Sequence, residues 1–218
     1  MITDPQALDP GTSRAVLLYS GGFDSTLVAL LLKQRRIPTV ALAINYPTRP
    51  AQEARAAEVS AQHLGFEEQV SFDLALGDFR HNPESWPSAQ HEAWFPYRNV
   101  TFFGIAAHFA IRHRCNIVAA GIRFWDDFDD ASDAYFTQLE QVLQFAGSEG
   151  FSGKLSLFLP LIMDHDQATQ AILGGGEVEQ LLRGTWSCWR SGPEPCGQCS
   201  PCRARNAFLA KLDAKRAR

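Results

Sequence analysis

Apolar residues in this chain fall into short continuous runs separated by longer stretches with helical spacing. Ala15-Val16-Leu17-Leu18-Tyr19 is one such run, and Thr39-Val40-Ala41-Leu42-Ala43-Ile44 is a second. Unbroken apolar runs of this length predict strands buried on both faces, as in a parallel sheet. Thr26 to Gln34 predicts a helix between them, which makes a βαβ unit. Ala51 to His63 is alanine-rich with polar residues on one side and ends at Gly65, so a second helix is expected there. The pattern continues with a short strand over Gln69 to Phe72, an apolar helix over Asn99 to Arg112 and a strand over Asn116 to Ala120. An amphipathic helix over Tyr135 to Gln144, a strand over Leu155 to Leu159 and a short helix over Gln167 to Leu173 follow. Strands alternating with helices predict an α/β fold built on a doubly wound parallel sheet, with ligands bound beyond the carboxyl ends of the strands.

The interruptions divide the chain. Residues 1 to 13 carry two prolines, a glycine and no periodicity, so a loose, flexible arm is expected before a main domain over 14 to 180. Gly77, Pro83, Pro87 and Pro96, with Trp86 and Trp94 among them, mark a long irregular segment of the kind that serves as a lid. Glycines break the pattern again at 147 to 153 and at Gly174-Gly175-Gly176, and residues 181 to 218 are expected to form a small metal-binding segment with a C-terminal helix.

A length of 218 residues suits one sizeable core. The net charge of −4 argues against a dedicated nucleic-acid binder. The basic tail of Lys211, Lys215, Arg216 and Arg218 reads as a solvated helix end. No run approaches the ~18 apolar residues of a membrane span, and the first residues lack the pattern of a secretory leader. A cytoplasmic protein is expected.

Ser20-Gly21-Gly22-Phe23-Asp24-Ser25-Thr26 joins the first strand to the first helix. Glycines permit backbone shapes other residues resist, and N–H groups at a helix start attract phosphate or pyrophosphate; the plain alternative is an ordinary strand-turn-helix. Neither a Gly-x-x-x-x-Gly-Lys-Ser/Thr string nor Gly-x-Gly-x-x-Gly is present there. Ser-Gly-Gly-x-Asp-Ser resembles the pyrophosphate loop (PP-loop) of the ATP pyrophosphatase superfamily, whose members adenylate a carbonyl oxygen before a nucleophile displaces AMP.

Four of the five cysteines, Cys188, Cys196, Cys199 and Cys202, lie within fifteen residues. Four thiolates at short spacing suit a closed tetrahedral zinc site that supports folding. An iron–sulfur cluster or free thiols are the alternatives. The glycines and prolines from Gly192 to Pro201 argue against regular helix in this stretch. Cys115 sits among apolar residues and reads as core. The six histidines show no ligand spacing with one another.

The loop and the four-cysteine cluster together resemble the 7-cyano-7-deazaguanine synthase family of queuosine biosynthesis. The likeness runs from Ala15 to about Leu209 and includes Asn45-Tyr46, Tyr97-Arg98-Asn99, Ala120-Gly121, Leu159-Pro160-Leu161 and Cys196-Gly-Gln-Cys199-Ser-Pro-Cys202. It implies an adenine nucleotide alpha hydrolase-like fold of the HUP type and a homodimer. It also implies a ligase that uses ATP and Mg²⁺ to adenylate 7-carboxy-7-deazaguanine, admits ammonia to form an amide, and activates the amide again to give the nitrile. On this resemblance Ser20, Gly21, Gly22, Asp24, Ser25 and Thr26 would bind ATP, with Asp24 on Mg²⁺. Arg98 would hold a phosphate or the substrate carboxylate, with a surface ion pair as the plainer reading. Asn99 would cap its helix or touch the nucleotide, and Asn45, Tyr46 and Gly121 would line the nucleotide site.

The departures fall on the substrate side. After Tyr46 the family usually has Gly-Gln-Arg-His, whereas this chain has Pro47-Thr48-Arg49-Pro50, so prolines replace a polar contact set. Tyr-Pro-Asp-Cys-Arg appears as Phe128-Asp129-Asp130-Ala131-Ser132, which keeps Asp130, a candidate catalytic carboxylate, but not the thiol or guanidinium. A lysine expected after Leu159-Pro160-Leu161 falls near Asp166 and Gln167. Asp126, Asp127, Asp129, Asp130 and Asp133 form either a solvated loop or an acidic mouth for a purine-like edge or an amine. The five tryptophans read mostly as core or interface, with base stacking as the alternative.

The leading expectation is the synthase reaction. The alternative is a relative of the kind found in bacterial antiviral defence, which would join activated deazaguanine to an amine on a partner protein. Sulfur transfer to tRNA would want a basic surface and a reactive thiol pair. A non-enzymatic zinc module with a dead loop would bind metal without turning over ATP.

Overall fold

The computed structural model describes residues 1–75, 97–123, 129–146, 154–162, 176–190 and 192–216. The five expected strands form: β1 at Ala15–Leu18, β2 at Thr39–Asn45, β3 at Glu68–Asp73, β4 at Ile117–Ala120 and β5 at Ser156–Phe158. All pair in parallel, in the order β3-β2-β1-β4-β5. The chain therefore winds outward through β2 and β3, then crosses to the other side of β1, and the carboxyl ends of β1 and β4 meet at the switch point.

The apolar runs are continuous because both faces of the sheet are covered. Ala15, Leu17, Ala41, Ile117, Ala119 and Phe158 face one layer, packed with Leu27, Leu31 and Ala61. Val16, Val40, Leu42, Val118, Ala120 and Leu157 face the other, against Phe103, Ala106, Ala110 and Phe136. The first layer belongs to α1 at Phe23–Gln34 and α2 at Ala51–Leu64. The second belongs to α3 at Arg98–Arg112 and α4 at Asp133–Ala146. Gly65 ends α2 in the left-handed region at φ 71°, where a glycine carries no Cβ penalty. Cys115 is buried in the second layer, as expected, and burial pushes its thiol up to about 11.

Three expectations change. Residues 1–13 are not a loose arm: Leu8 is buried, Ile2 bridges to Phe158, and the amino group of Met1 pairs with Glu140. Glu140 also accepts the N–H of Leu157 at 2.7 Å, so the segment is stitched to the edge strand β5. Helix α1 begins three residues before Thr26, because Phe23, Asp24 and Ser25 already hold helical geometry. Gly176 opens a helix, α5 at Gly176–Arg183, rather than completing a turn. Leu182 of α5 and Phe208 of α6, at Ser200–Arg216, join the core of the first layer. The proposed lid over 77–96 and the expected helix over Gln167 to Leu173 lie outside the described residues.

Candidate functional site

The segment from Ser20 to Thr26 connects β1 to α1 at the switch point, and the chain enters the helix with almost no intervening turn. Gly22 is the N-cap, with φ −74° and ψ 166°, so the cap residue has no side chain of its own to satisfy the first-turn N–H groups. Donors at a helix start with the dipole behind them favour an anion. Gly21 has φ +85°, and a Cβ there would lie 2.3 Å from the backbone nitrogen of Ala57 on α2. A Cβ on Gly121, at the end of β4, would lie 2.5 Å from the carbonyl carbon of Asp24. Each glycine is there because two backbones touch.

Inside the loop the Ser20 hydroxyl accepts the Gly22 N–H at 3.1 Å and lies 3.2 Å from the Ser25 hydroxyl. Ser25 Oγ donates to the Gly22 carbonyl at 3.1 Å. Thr26 is fully buried beside the Tyr19 hydroxyl, 3.4 Å away, so its side chain anchors the helix in the core.

A cleft of about 260 Å³ opens over this loop. Ser20, Gly22, Asp24, Ser25, Tyr46, Arg98, Asn99, Gly121 and Asp130 all line it, whereas Gly21, Thr26 and Asn45 stand behind its wall. Asn45 donates to Asp73 at 2.7 Å and accepts from Arg49 at 2.6 Å, so it braces a neighbour. Asn99 does not cap α3. The N-cap is Tyr97, in the left-handed region at φ 59°, and the Asn99 amide instead donates to the Asp130 carbonyl at 2.7 Å. That bond ties the short turn Asp129–Ala131 to α3 and brings Asp130 to the rim. Asp126, Asp127, Asp166 and Gln167 lie outside the described residues.

Arg49, Glu53, Arg123, Trp186 and Ser187 also line the cleft; of these the sequence offered only Trp186, as one of five tryptophans with base stacking as the alternative to core. Pro47-Thr48-Arg49-Pro50 does not empty the site of polar contacts, because Arg49 reaches into it. The guanidinium donates from Nη2 to the Ser20 carbonyl at 2.8 Å and from Nη1 to Asn45 Oδ1, while its Nε lies 3.4 Å from Glu53 Oε2. The signal was available: Arg49 and Glu53 are four apart across the start of α2. Burial raises the Glu53 carboxyl above the usual range, and the charge of Arg49 opposes that rise. Burial likewise pushes the Tyr46 phenol up to about 12.

Cys188, Cys196, Cys199 and Cys202 come together with all four Sγ atoms within 4.8 Å of one another. Metal–sulfur bonds of ~2.3 Å in a tetrahedron put sulfur atoms about 3.8 Å apart, so the donor set fits a four-thiolate metal. The backbone is prepared for thiolates: Cys188 Sγ accepts N–H groups from Arg190 and Cys196, and Cys196 Sγ accepts one from Cys199, each at 3.4 Å. The N–H groups of Cys199 and Gln198 bring the Cys196 thiol down to about 6, while burial raises those of Cys188 and Cys202. Cys202 lies in the first turns of α6, so helix begins inside the cluster, with Pro201 at a position where its missing N–H costs nothing. The cluster stands against the loop, and Cys188 itself lines the cleft.

Among relatives, a 7-cyano-7-deazaguanine synthase of Gloeothece citriformis is 28% identical over 90% of this chain and 90% of its own. That of Campylobacter concisus is 26% identical over 92% of this chain and 96% of its own. Among solved structures, the U34-tRNA thiolase NcsA of Methanococcus maripaludis is 17% identical with a TM-score of 0.48, covering 98% of this chain and 70% of that one. The family described as Queuosine biosynthesis protein QueC matches residues 14–213. With the match spanning sheet, loop and cysteine cluster alike, this chain belongs to the QueC family.

Proposed function

We propose that the protein is an ATP-dependent carbon–nitrogen ligase that activates the carboxylate of 7-carboxy-7-deazaguanine for attack by ammonia. One observation carries this reading: the loop from Ser20 to Thr26 enters α1 through a glycine N-cap and opens on a cleft that also holds Asp24, Arg49 and Arg98. Relatives named as 7-cyano-7-deazaguanine synthases agree with it. ATP would rest its phosphates where α1 begins, on the backbone around Asp24 and Ser25, with the hydroxyls of Ser20 and Ser25 beside them. Asp24 would offer carboxylate oxygen to Mg²⁺, a hard cation suited to that ligand. The substrate carboxylate oxygen attacks the α-phosphorus and pyrophosphate leaves. Ammonia then adds at the acyl carbon, AMP departs, and a proton is lost to give the amide. A second ATP activates the amide oxygen in the same way, and loss of AMP and a proton leaves the nitrile. Arg98, at the first turn of α3, would neutralise the carboxylate or a phosphate. The four cysteines would hold Zn²⁺, which supplies a covalent-like cross-link for folding and has no open position for chemistry.

A second reading has a larger amine, on a partner protein of the antiviral-defence kind, in place of ammonia. It draws on Asp130 at the rim of the cleft, a carboxylate placed where an incoming cationic amine would pass. Mass spectrometry of the protein with ATP, Mg²⁺ and 7-carboxy-7-deazaguanine, with and without ammonium, separates the two. Ammonium-dependent amide or nitrile supports the first. An adenylate that ammonium does not consume supports the second, and no ATP cleavage overturns both.

A further inference from the structure

We infer that Ser187 is a positioning residue for the loop and that the four-cysteine site anchors it, so that metal and Mg·ATP bind with positive linkage; this rests on the nucleotide reading above. Two arms leave the cysteine cluster and both end on the loop. The first is Trp186-Ser187, directly before Cys188. Trp186 donates its backbone N–H to the Gly21 carbonyl at 3.3 Å, and the Ser187 hydroxyl accepts the Phe23 N–H at 3.4 Å. The Trp186 carbonyl lies 3.3 Å from where a Cβ on Gly22 would sit, so this arm is pressed against the glycine pair. The indole N–H of Trp186 turns back to the Cys188 carbonyl at 2.9 Å, which fixes the arm to the cluster. The second arm is α6, which begins two residues before Cys202 and lays Phe208 against Phe23, with ring centroids 4.7 Å apart.

These contacts fall on the backbone of Gly21 and Phe23 and on the Phe23 ring, and Trp186 and Ser187 line the cleft beside the loop they hold. Between the arms, the described residues from Gly184 to Cys199 form neither helix nor strand. A stretch without a hydrogen-bonded ladder depends on cross-links for its shape, and here the four thiolates add to the bonds from Gln52 to the Gly192 carbonyl and from Arg205 to the Thr185 hydroxyl. Metal bound at the cluster therefore holds Ser187 and Trp186 at the spacing the loop needs. A ligand that binds only the ordered loop must in turn favour the metal-bound state by the same factor.

The test uses the metal-replete full chain. Mg·ATP affinity is measured by titration calorimetry, and metal affinity by equilibrium competition with a chromogenic chelator, with and without saturating Mg·ATP. Loss of one hydrogen bond to the loop predicts about fivefold weaker Mg·ATP binding in Ser187→Ala, with metal content unchanged and affinity restored in Ser187→Thr. In the wild type, saturating Mg·ATP raises the metal affinity, and the rise shrinks in Ser187→Ala. Should the alanine variant lose its metal, the wild-type metal affinities decide alone. Equal Mg·ATP affinities together with a metal affinity indifferent to Mg·ATP overturn the coupling and leave the nucleotide reading standing. A metal-replete wild type that does not bind Mg·ATP overturns both.

Discussion

Arg49 Nη2 donates to the carbonyl oxygen of Ser20 at 2.8 Å, which ties the end of β1 to the segment that leads into α2. The same guanidinium holds Asn45 and faces Glu53, so one side chain engages three acceptors. Arg49→Ala should leave a buried carboxyl and a loop carbonyl without their donor, at a cost of about 2 kcal/mol. The expected outcome is a rise of ten- to hundredfold in the KM for ATP. Lysine should restore little of it, because an ammonium cannot present the planar fork. Steady-state kinetics of both variants check this.

Glu53 makes stability fall as pH rises. Its folded carboxyl pKa is raised above the ordinary value of 4.5, chiefly by burial, so between the two values the native state binds more protons than the unfolded chain. Stability from this group is fully present below the unfolded value and is lost as pH climbs through the folded one. Glu53→Gln should flatten that part of the profile, measured as midpoint temperature against pH, relative to the wild type.

Gly121→Ala places a methyl 2.5 Å from the backbone of Asp24, where no flexible side chain can give way. The loop or the end of β4 must shift. The expected loss is about 1–3 kcal/mol of stability, together with a nucleotide affinity that falls more than stability does. Denaturant titration and calorimetry on the same preparation separate the two effects.

Asp24→Ala should abolish pyrophosphate exchange with ATP and leave the fold intact, since Asp24 lies at the cleft wall rather than in the core. Its carboxylate also sits in the first turn of α1, where a negative charge contributes about 0.3–1 kcal/mol, so a small drop in stability accompanies the loss. A variant that exchanges pyrophosphate at the wild-type rate would overturn the assignment of the loop.

Cys199→Ser should release the metal and loosen the region from Gly184 to α6, with the packing of Phe208 on Phe23 lost in consequence. Metal analysis and hydrogen exchange check it: amides of α6 should exchange faster while those of β1 and β2 stay protected.

The layered sheet was legible because parallel strands covered on both faces leave unbroken apolar runs, as at Ala15 to Tyr19 and Thr39 to Ile44. The loop and the cysteines were legible because their chemistry depends on local spacing. Arg49 was not, although its pairing with Glu53 is local, because its role depends on Ser20, twenty-nine residues away. The packing of residues 1–13 was hidden for a similar reason. Prolines and a missing period say nothing of Leu157 and Glu140, which supply the partners. Asn99 shows the limit from the other side: its type suggests a cap, yet Tyr97 takes that position and the amide serves a distant turn.

Ala57 stands behind Gly21, the end of β4 behind Asp24, and Arg49 beneath Ser20, so the loop side of the cleft is clamped on several sides. The opposite rim, around Asp130, is held to α3 through the amide of Asn99. Under the proposed ligase function, a cleft built this way keeps its activating side fixed and its rim exchangeable, so changes in what the activated acid is joined to can accumulate there without disturbing how it is activated.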